Sequence, residues 1–421
     1  MASTNLKNFL EQNPSFPEVA LRLYGEDVDV MAEAERYADL GQAHVEQFGK
    51  EHYRYFSSPG RIELVGNHTD HQHGKVLCAS IDLDTLAAVT KTDDNYVVIK
   101  SGNYPLIEVN LNKLDKNLKE FGTSLALVKG VADYYVKHGY KVGGFVATMT
   151  STVGRGSGVS SSASFECCVA EIFNVLYNDG VIDPVTKAKA SQYAESSYFG
   201  KPCGLLDQSA IALGGVAYID FADPANPQVD KLAWSVSDSV ILVNTGGDHT
   251  RLTDCYAAIT NEMGAVARLL GGEVLNGLDP TELAVKVKQA GLSGRAALRA
   301  IHFFSENARV EQARKALKEG DVASLRDALS KSGYSSLTHL QNLYVPGDDK
   351  QPIPLALEIA QELGATAARV HGGGFAGTIL TTWAHEDKQA AKERLQAIFG
   401  QDNVFAVSIR PDGAIGLDLS I

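Results

Sequence analysis

Residues 143–180 read GGFVATMTSTVGRGSGVSSSASFECCVAEIFNVLYNDG. Three patterns follow one another. Residues 143–150 (GGFVATMT) have the β-branched and aromatic content of a strand. Residues 154–158 (GRGSG) are a glycine-rich turn, and the serine-led segment from 160 to 180 reads as a helix closing at Asp179-Gly180. One face of that helix carries Phe165, Val169, Ile172 and Leu176, and another carries Ala163, Cys167, Ala170 and Phe173. Apolar residues on more than one face predict a buried helix.

A strand, a glycine turn and a helix start form a cradle for an anion. Glycines let the backbone turn tightly, and the first N–H groups of the helix have no partner within it. The loop GRGSGVSSSAS (154–164) therefore suits a nucleotide phosphate, and its serine hydroxyls add donors or can help hold a magnesium ion. It is not a P-loop, because no Gly-Lys-Ser/Thr follows, and its spacing does not fit a dinucleotide fingerprint. The alternative is a turn of small residues with a purely conformational role.

Working outward, residues 28–48 read as a helix, and residues 53–66 (YRYFSSPGRIELVG) as a strand, a Ser-Pro-Gly turn and a second strand. Strands are expected around 84–91 and 96–100, with a turn between them. Asp183-Pro184 opens a helix to about residue 198, Asp as its N-cap and Pro at its first position. A third helix opens in LLDQSAIAL (205–213). Composition breaks at Gly214-Gly215, and SVILVNTGG (239–247) begins a second half rich in helices, such as 256–270 and 355–363. VFAVSIRPDGAIGLDL (404–419) reads as a closing hairpin. Long helices mixed with strand pairs favour an α+β chain over a doubly wound sheet.

The chain has 421 residues, long for one core, so two domains are expected, 1–215 and 216–421. Its net charge of −13 argues against a general nucleic-acid or membrane-surface binder. Five cysteines (Cys78, Cys167, Cys168, Cys203, Cys255) form no C-x-x-C pair and read as reduced thiols of a cytoplasmic protein, Cys203 as a small buried one. The start, MASTNLKNFLEQNPSF, has no basic stretch followed by an apolar run, and no run is long enough for a membrane span.

Two further segments bear on chemistry. In KPCGLLDQSA (201–210), Asp207 lies beside leucines. A partly desolvated carboxylate near a cation can accept a proton from a sugar hydroxyl, or it can be an ordinary acid at a helix start. In RVHGGGFAGTI (369–379), three adjacent glycines suggest close backbone approach to a ligand or a neighbouring loop, or a sharp turn between strands.

Three ordered motifs, SPGRIELVGNHTDHQHG (58–74), GRGSGVSSSAS and VHGGGFAGT (370–378), resemble the galactokinase, homoserine kinase, mevalonate kinase and phosphomevalonate kinase group. PGR…GNHTDH…G and CGLLDQ look specifically like galactokinase. The resemblance implies a two-domain fold with its active site in the cleft between domains. It implies phosphorylation of galactose by ATP at the anomeric hydroxyl, with magnesium. It further implies a small sugar and ATP as partners; the sequence does not fix the oligomeric state, and a monomer is favoured. Asp207 matches the family's catalytic aspartate, and Arg61 the arginine beside it and the transferred phosphate. His68, Asp70, Gly204 and Tyr256 match sugar-binding positions. Gly156, Gly158, Ser160 and Ser161, with Ser162 beside them, match the nucleotide loop. Ser161 and Glu195 match the magnesium-binding pair.

One departure bears on substrate. Where galactokinases read G-R-V-N-L-I-G-E-H-T-D-Y, this chain reads GRIELVGNHTDH. Asn67 stands where the family has Glu, near the sugar's C6 hydroxyl, and Glu63 where it has Asn. In an extended segment the two side chains face the same side, so both are candidate substrate-binding residues. A neutral residue at 67 repels a C6 carboxylate less, which makes galacturonate the alternative substrate. N-acetylgalactosamine is a further alternative. A galactose and ATP sensor without catalysis is a competing class; the presence of Ala163 and Ser164 after the serines, with Asp207 and Arg61, favours catalysis. His68, His71 and His73 raise a transition-metal site, but without an HExxH or cysteine partner.

Overall fold

The computed structural model describes residues 4–154, 158–201, 203–246, 252–375 and 377–419. Among these residues, twelve strands form two sheets. The strands are β1 (Arg54–Val65), β2 (Lys75–Lys91), β3 (Tyr96–Ser101), β4 (Ile107–Asn110), β5 (Phe145–Ser151), β6 (Val216–Asp220), β7 (Gln228–Leu232), β8 (Ser239–Asn244), β9 (Ala367–Val370), β10 (Thr378–Trp383), β11 (Val404–Val407) and β12 (Ile415–Leu417). The first sheet runs β12-β1-β2-β5-β3-β4, with β6 added to β2 and β7 to β6. Its pairs are antiparallel apart from β3 with β5. The second sheet is antiparallel, in the order β11-β8-β10-β9. The α+β expectation holds.

The strand and the helix of the opening segment fold as their patterns predict, and residues 155–157 of the predicted glycine turn lie outside the described residues. The helix Ser161–Tyr177 is buried from Ala163 to Asn174 with the exception of Phe165. Asp183 caps the next helix, Pro184–Tyr193, accepting from the Thr186 amide at 3.0 Å. The following turns widen to a π-helix over Ala194–Phe199 and stop at Gly200 in the left-handed region (φ 84°).

Two expectations are corrected. Residues 54–65 are one strand, not two with a turn between. The ladder with β2 slips between Pro59 and Gly60, so the proline, which has no N–H to donate, sits at a bulge. Residues 404–419 are not a hairpin: β11 joins β8 in the second sheet, while β12 joins β1 in the first. The Arg410 guanidinium separates them, bonded to Ser57 and to the Gly413 carbonyl. The first sheet also takes β6, β7 and β12 from beyond residue 215.

A shared apolar cluster joins the sheets. Ile62, Leu64 and Ile81 of the first sheet pack with Leu242 and Leu380 of the second and with Val310 and Leu329 of the helices Gly294–Glu319 and Val322–Ser335. The second half of β1 therefore runs along the seam. That is why residues just after it meet residues from both halves of the chain.

Candidate active site

The bulge at Pro59/Gly60 turns β1 toward the glycine-serine loop. The Arg61 amide donates to the Val159 carbonyl at 3.2 Å, and a Cβ on Gly60 would lie 3.0 Å from that same oxygen. Arg61 is thereby aimed at the start of the short helix Leu206–Leu213. Its Nε donates to Asp207 Oδ1 at 2.8 Å, and its second nitrogen reaches the Gly158 carbonyl. Ser160 Oγ donates to the other oxygen of Asp207.

Ser160 holds a left-handed conformation (φ 64°) at the N-cap of Ser161–Tyr177, uncommon for a non-glycine residue, and spends its hydroxyl on Asp207 instead of capping. Burial disfavours charge on Asp207, but Arg61, the Ser160 hydroxyl and Lys201 outweigh it and hold its carboxyl below the usual range. Asp207 is thus an ionised carboxylate, about one-third exposed, bonded to the N-cap residue of a helix whose first amides have no partner within it.

Glu195, buried in the π-turn, accepts from Ser162 Oγ at 3.0 Å, Lys201 Nζ at 2.9 Å and Gln208 Nε2 at 2.7 Å. Ser162 is therefore the serine bonded to Glu195, with Ser161 next to it at the first helical position. The set of hard oxygens, one carboxylate with serine hydroxyls at a phosphate loop, fits magnesium, and the Lys201 ammonium already occupies a cation's place on Glu195. Gly158 is left-handed (φ 77°) and packs beneath His371 and Thr378. Gly156 lies outside the described residues.

On the loop that follows β1, His68 (φ 57°) and His73 (φ 58°) are also left-handed, and Asp70 opens a short 3₁₀ turn to Gln72. A Cβ on Gly204 would lie 2.1 Å from Asp70 Oδ2, which explains the glycine: any side chain there would displace the carboxylate. Burial raises the Asp70 carboxyl pKa.

The triple glycine meets this loop through its carbonyls. Gly372 O accepts from Asn67 Nδ2 at 2.7 Å, Gly373 O from His68 Nε2 at 2.9 Å, and Gly374 O from the Tyr256 hydroxyl at 3.1 Å. A Cβ on Gly373 would strike the Tyr256 ring at 2.7 Å, and one on Gly374 the Asn342 carbonyl at 2.2 Å. Close approach to a neighbouring loop is what these glycines permit.

Glu63 and Asn67 do face the same side. Asn67 Nδ2 donates to Glu63 Oε1 at 3.0 Å, and Arg369 donates to that oxygen at 2.8 Å. Asn67 is fully buried and Glu63 nearly so. Both are placed beneath the loop, bonded to protein.

Sequence reasoning missed the polar residues that hold this loop from the second half. Glu306 Oε1 accepts from the Gly66 and Asn67 amides and from Ser332. His302 Nε2 donates to the Asn67 carbonyl at 2.9 Å, and Asn307 Oδ1 accepts from the Lys75 amide at 2.8 Å. His371 Nε2 accepts from the Glu63 amide at 3.1 Å. One signal was available: His302 and Glu306 lie four apart on a helix face that also carries Phe303 and Val310. Among the described residues, no cluster of three or more His, Cys, Asp or Glu is arranged to hold a metal ion, so His68, His71 and His73 are not gathered into one.

Burial pushes His44 and His302 down to about 4 and His71 to about 3. An unfolded histidine protonates near 6.5, so between pH 6.5 and about 4 the unfolded chain takes up protons that these sites refuse. Stability is then lost as pH falls through that window, by up to about 3 kcal/mol per histidine. Tm measured from pH 7 to 4 should fall; a flat profile would show that these rings already carry protons when folded.

The sequence matches the galactokinase galactose-binding signature over residues 42–91 and the GHMP kinases N terminal domain over residues 126–215. The galactokinase of Pyrococcus furiosus is 34% identical over 80% of this chain and 89% of its own. Human galactokinase is 29% identical over 90% of this chain and 96% of its own. The fold is similar to that of Lactococcus lactis galactokinase complexed with galactose (TM-score 0.79, 24% identity, 91% of this chain and 100% of that one). It is more distantly similar to Methanococcus jannaschii mevalonate kinase (TM-score 0.61, 15% identity, 85% and 98%). With these similarities spanning the sugar loop, the glycine-serine loop and most of both chains, the protein belongs to the galactokinase family.

Proposed function

We propose that the chain transfers the γ-phosphoryl group of ATP to the anomeric hydroxyl of galactose, giving galactose 1-phosphate and ADP. The observation that carries this reading is Asp207, ionised between Arg61 and Ser160 at the mouth of the phosphate loop. Phosphoryl transfer asks mainly for alignment and charge neutralisation. Asp207 orients the C1 hydroxyl and takes its proton as the oxygen bonds to phosphorus and the bond to the ADP oxygen breaks. Arg61 keeps Asp207 charged and faces the transferring oxygens. Gly158, Ser160 and the amides opening Ser161–Tyr177 cradle the phosphates. His68, Asp70, Gly204 and Tyr256 hold the sugar. Ser161, Ser162 and Glu195 would hold magnesium, which neutralises phosphate charge when bound.

The proposed division of labour keeps the sugar loop, phosphate loop and Asp207 in residues 1–215 and the triple glycine in 216–421. A monomeric state and a cytoplasmic location complete the proposal; among the described residues no helix is long and apolar enough to cross a membrane.

Galacturonate is a second reading. Asn67 is neutral and Glu63 is paired with Arg369, so neither offers an unpaired carboxylate to a sugar's C6 group. Comparing kcat/KM for galactose, galacturonate and N-acetylgalactosamine decides the matter. Galactose should rank first; a higher value for galacturonate would reverse the assignment. ATP binding without turnover of any hexose would make the protein a sensor.

A further inference from the structure

The three carbonyls of Gly372, Gly373 and Gly374 accept from three different kinds of donor on two segments: the amide and imidazole of the adjacent Asn67 and His68, and the phenol of Tyr256. A carbonyl oxygen cannot donate. Gly373 O therefore requires the hydrogen to sit on His68 Nε2, which in the neutral ring leaves Nδ1 as an acceptor. We propose that this carbonyl row is a template that sets His68 as the Nε2–H tautomer, so that it meets a sugar hydroxyl as an acceptor through Nδ1. Asn67 and Asn342 are the positioning residues that hold the template in register. The sugar contact rests on the functional reading above; the tautomer does not.

Two amides lock the row. The Asn67 NH₂ group donates one hydrogen to Gly372 O and one to Glu63 Oε1, while its Oδ1 accepts from Asn342 Nδ2 at 2.7 Å. The same Asn342 Nδ2 donates at 3.1 Å to Gly373 O, the oxygen that receives His68. Each orientation is forced, because carboxylate and carbonyl oxygens only accept. Position 67 thus needs a group that donates twice and accepts once in the space of an Asn. A glutamate cannot do this: it has no hydrogen for Gly372 O and would set a second carboxylate against Glu63. The departure from the family at residue 67 is then explained by the loop it holds, with no contact to sugar. Glu306 and His302 fix the backbone of the same residue, so the template registers against a rigid partner.

Side-chain ¹⁵N NMR of the full chain tests this, with the His68 signals assigned by their absence in His68→Gln. In its neutral form the His68 ring should show a protonated Nε2 and a bare Nδ1, and galactose should shift the Nδ1 resonance. A protonated Nδ1 in the neutral ring overturns the template. The expected tautomer with no response to galactose leaves the template standing and overturns the sugar reading beneath it. Asn67→Asp and Asn342→Asp each remove donors from the row at near-constant shape. Either should raise galactose KM roughly tenfold, the value of one hydrogen bond to the loop, and mix the His68 tautomers, with ATP KM within about twofold. Lower Tm with unchanged galactose KM and an unchanged tautomer would assign both residues a merely structural role and overturn the positioning claim.

Discussion

Asp207→Asn should lower kcat for galactose by about 10²–10⁴-fold, the usual range for loss of a positioned proton acceptor. The substitution keeps the shape of the site. The amide oxygen can accept from Arg61 Nε, and the amide hydrogens can face Ser160, whose hydroxyl turns to accept. Galactose and ATP should still bind, so calorimetry should return dissociation constants within a few-fold of the parent while turnover collapses. The carboxylate is maintained in its charged form against burial, and this opposition is the reason for expecting chemistry instead of packing at this position. A kcat within tenfold of the parent would mean that Arg61 and the phosphate loop do the work and that Asp207 only orients the hydroxyl.

How much of this was legible in the sequence follows from the range of each interaction. The serine-led helix and the Asp183-Pro184 start are local, decided by capping within a few residues, and they fold as their patterns say. The misreadings were at places where tertiary pairing overrides local punctuation. Ser-Pro-Gly looks like a turn, but the strand continues through it because Ser57, Ser58 and Pro59 still face Leu86, Thr85 and Asp84 across the ladder. Pro411-Asp412-Gly413 looks like a hairpin, but buried Arg410 sends the two flanking strands to different sheets. The candidate site divides in the same way. Arg61, Ser160 and Asp207 meet as the motifs imply. Glu63 and Asn67 do meet, but not through the period of a strand: β1 ends at Val65, and the turn at Gly66 (φ 115°) brings the amide back to the carboxylate. The residues that hold that pair, His302, Glu306, Asn342 and Arg369, come from more than 230 positions away and carry no local mark beyond polar groups on faces that prove to be buried.

Arg369→Met should cost about 3–5 kcal/mol of folding stability, the penalty for removing one partner of a buried ion pair. Arg369 is a residue of β9 in the second sheet, yet its fully buried guanidinium crosses to β1 of the first. One nitrogen donates to the Glu63 carbonyl at 2.6 Å and the Leu64 carbonyl at 2.9 Å, and the other to Glu63 Oε1 at 2.8 Å. Methionine fills much of the stem's volume but leaves two carbonyls and a carboxylate without these donors, in a place water does not reach. Urea unfolding monitored at constant m reads the loss as a lower midpoint. Glu63→Gln in the same chain should recover part of it, because a neutral amide tolerates the vacancy better than a charge, and the double-mutant cycle isolates that share. The Asn67 amide loses a fixed partner in the single variant, so galactose KM should rise as well, while Asp207, held by Arg61 and Ser160, should keep its place. A stability loss under 1 kcal/mol would mean that the apolar cluster of Ile62, Leu64, Leu242 and Leu380 joins the two sheets without help, and that this ion pair serves the sugar loop instead of the fold.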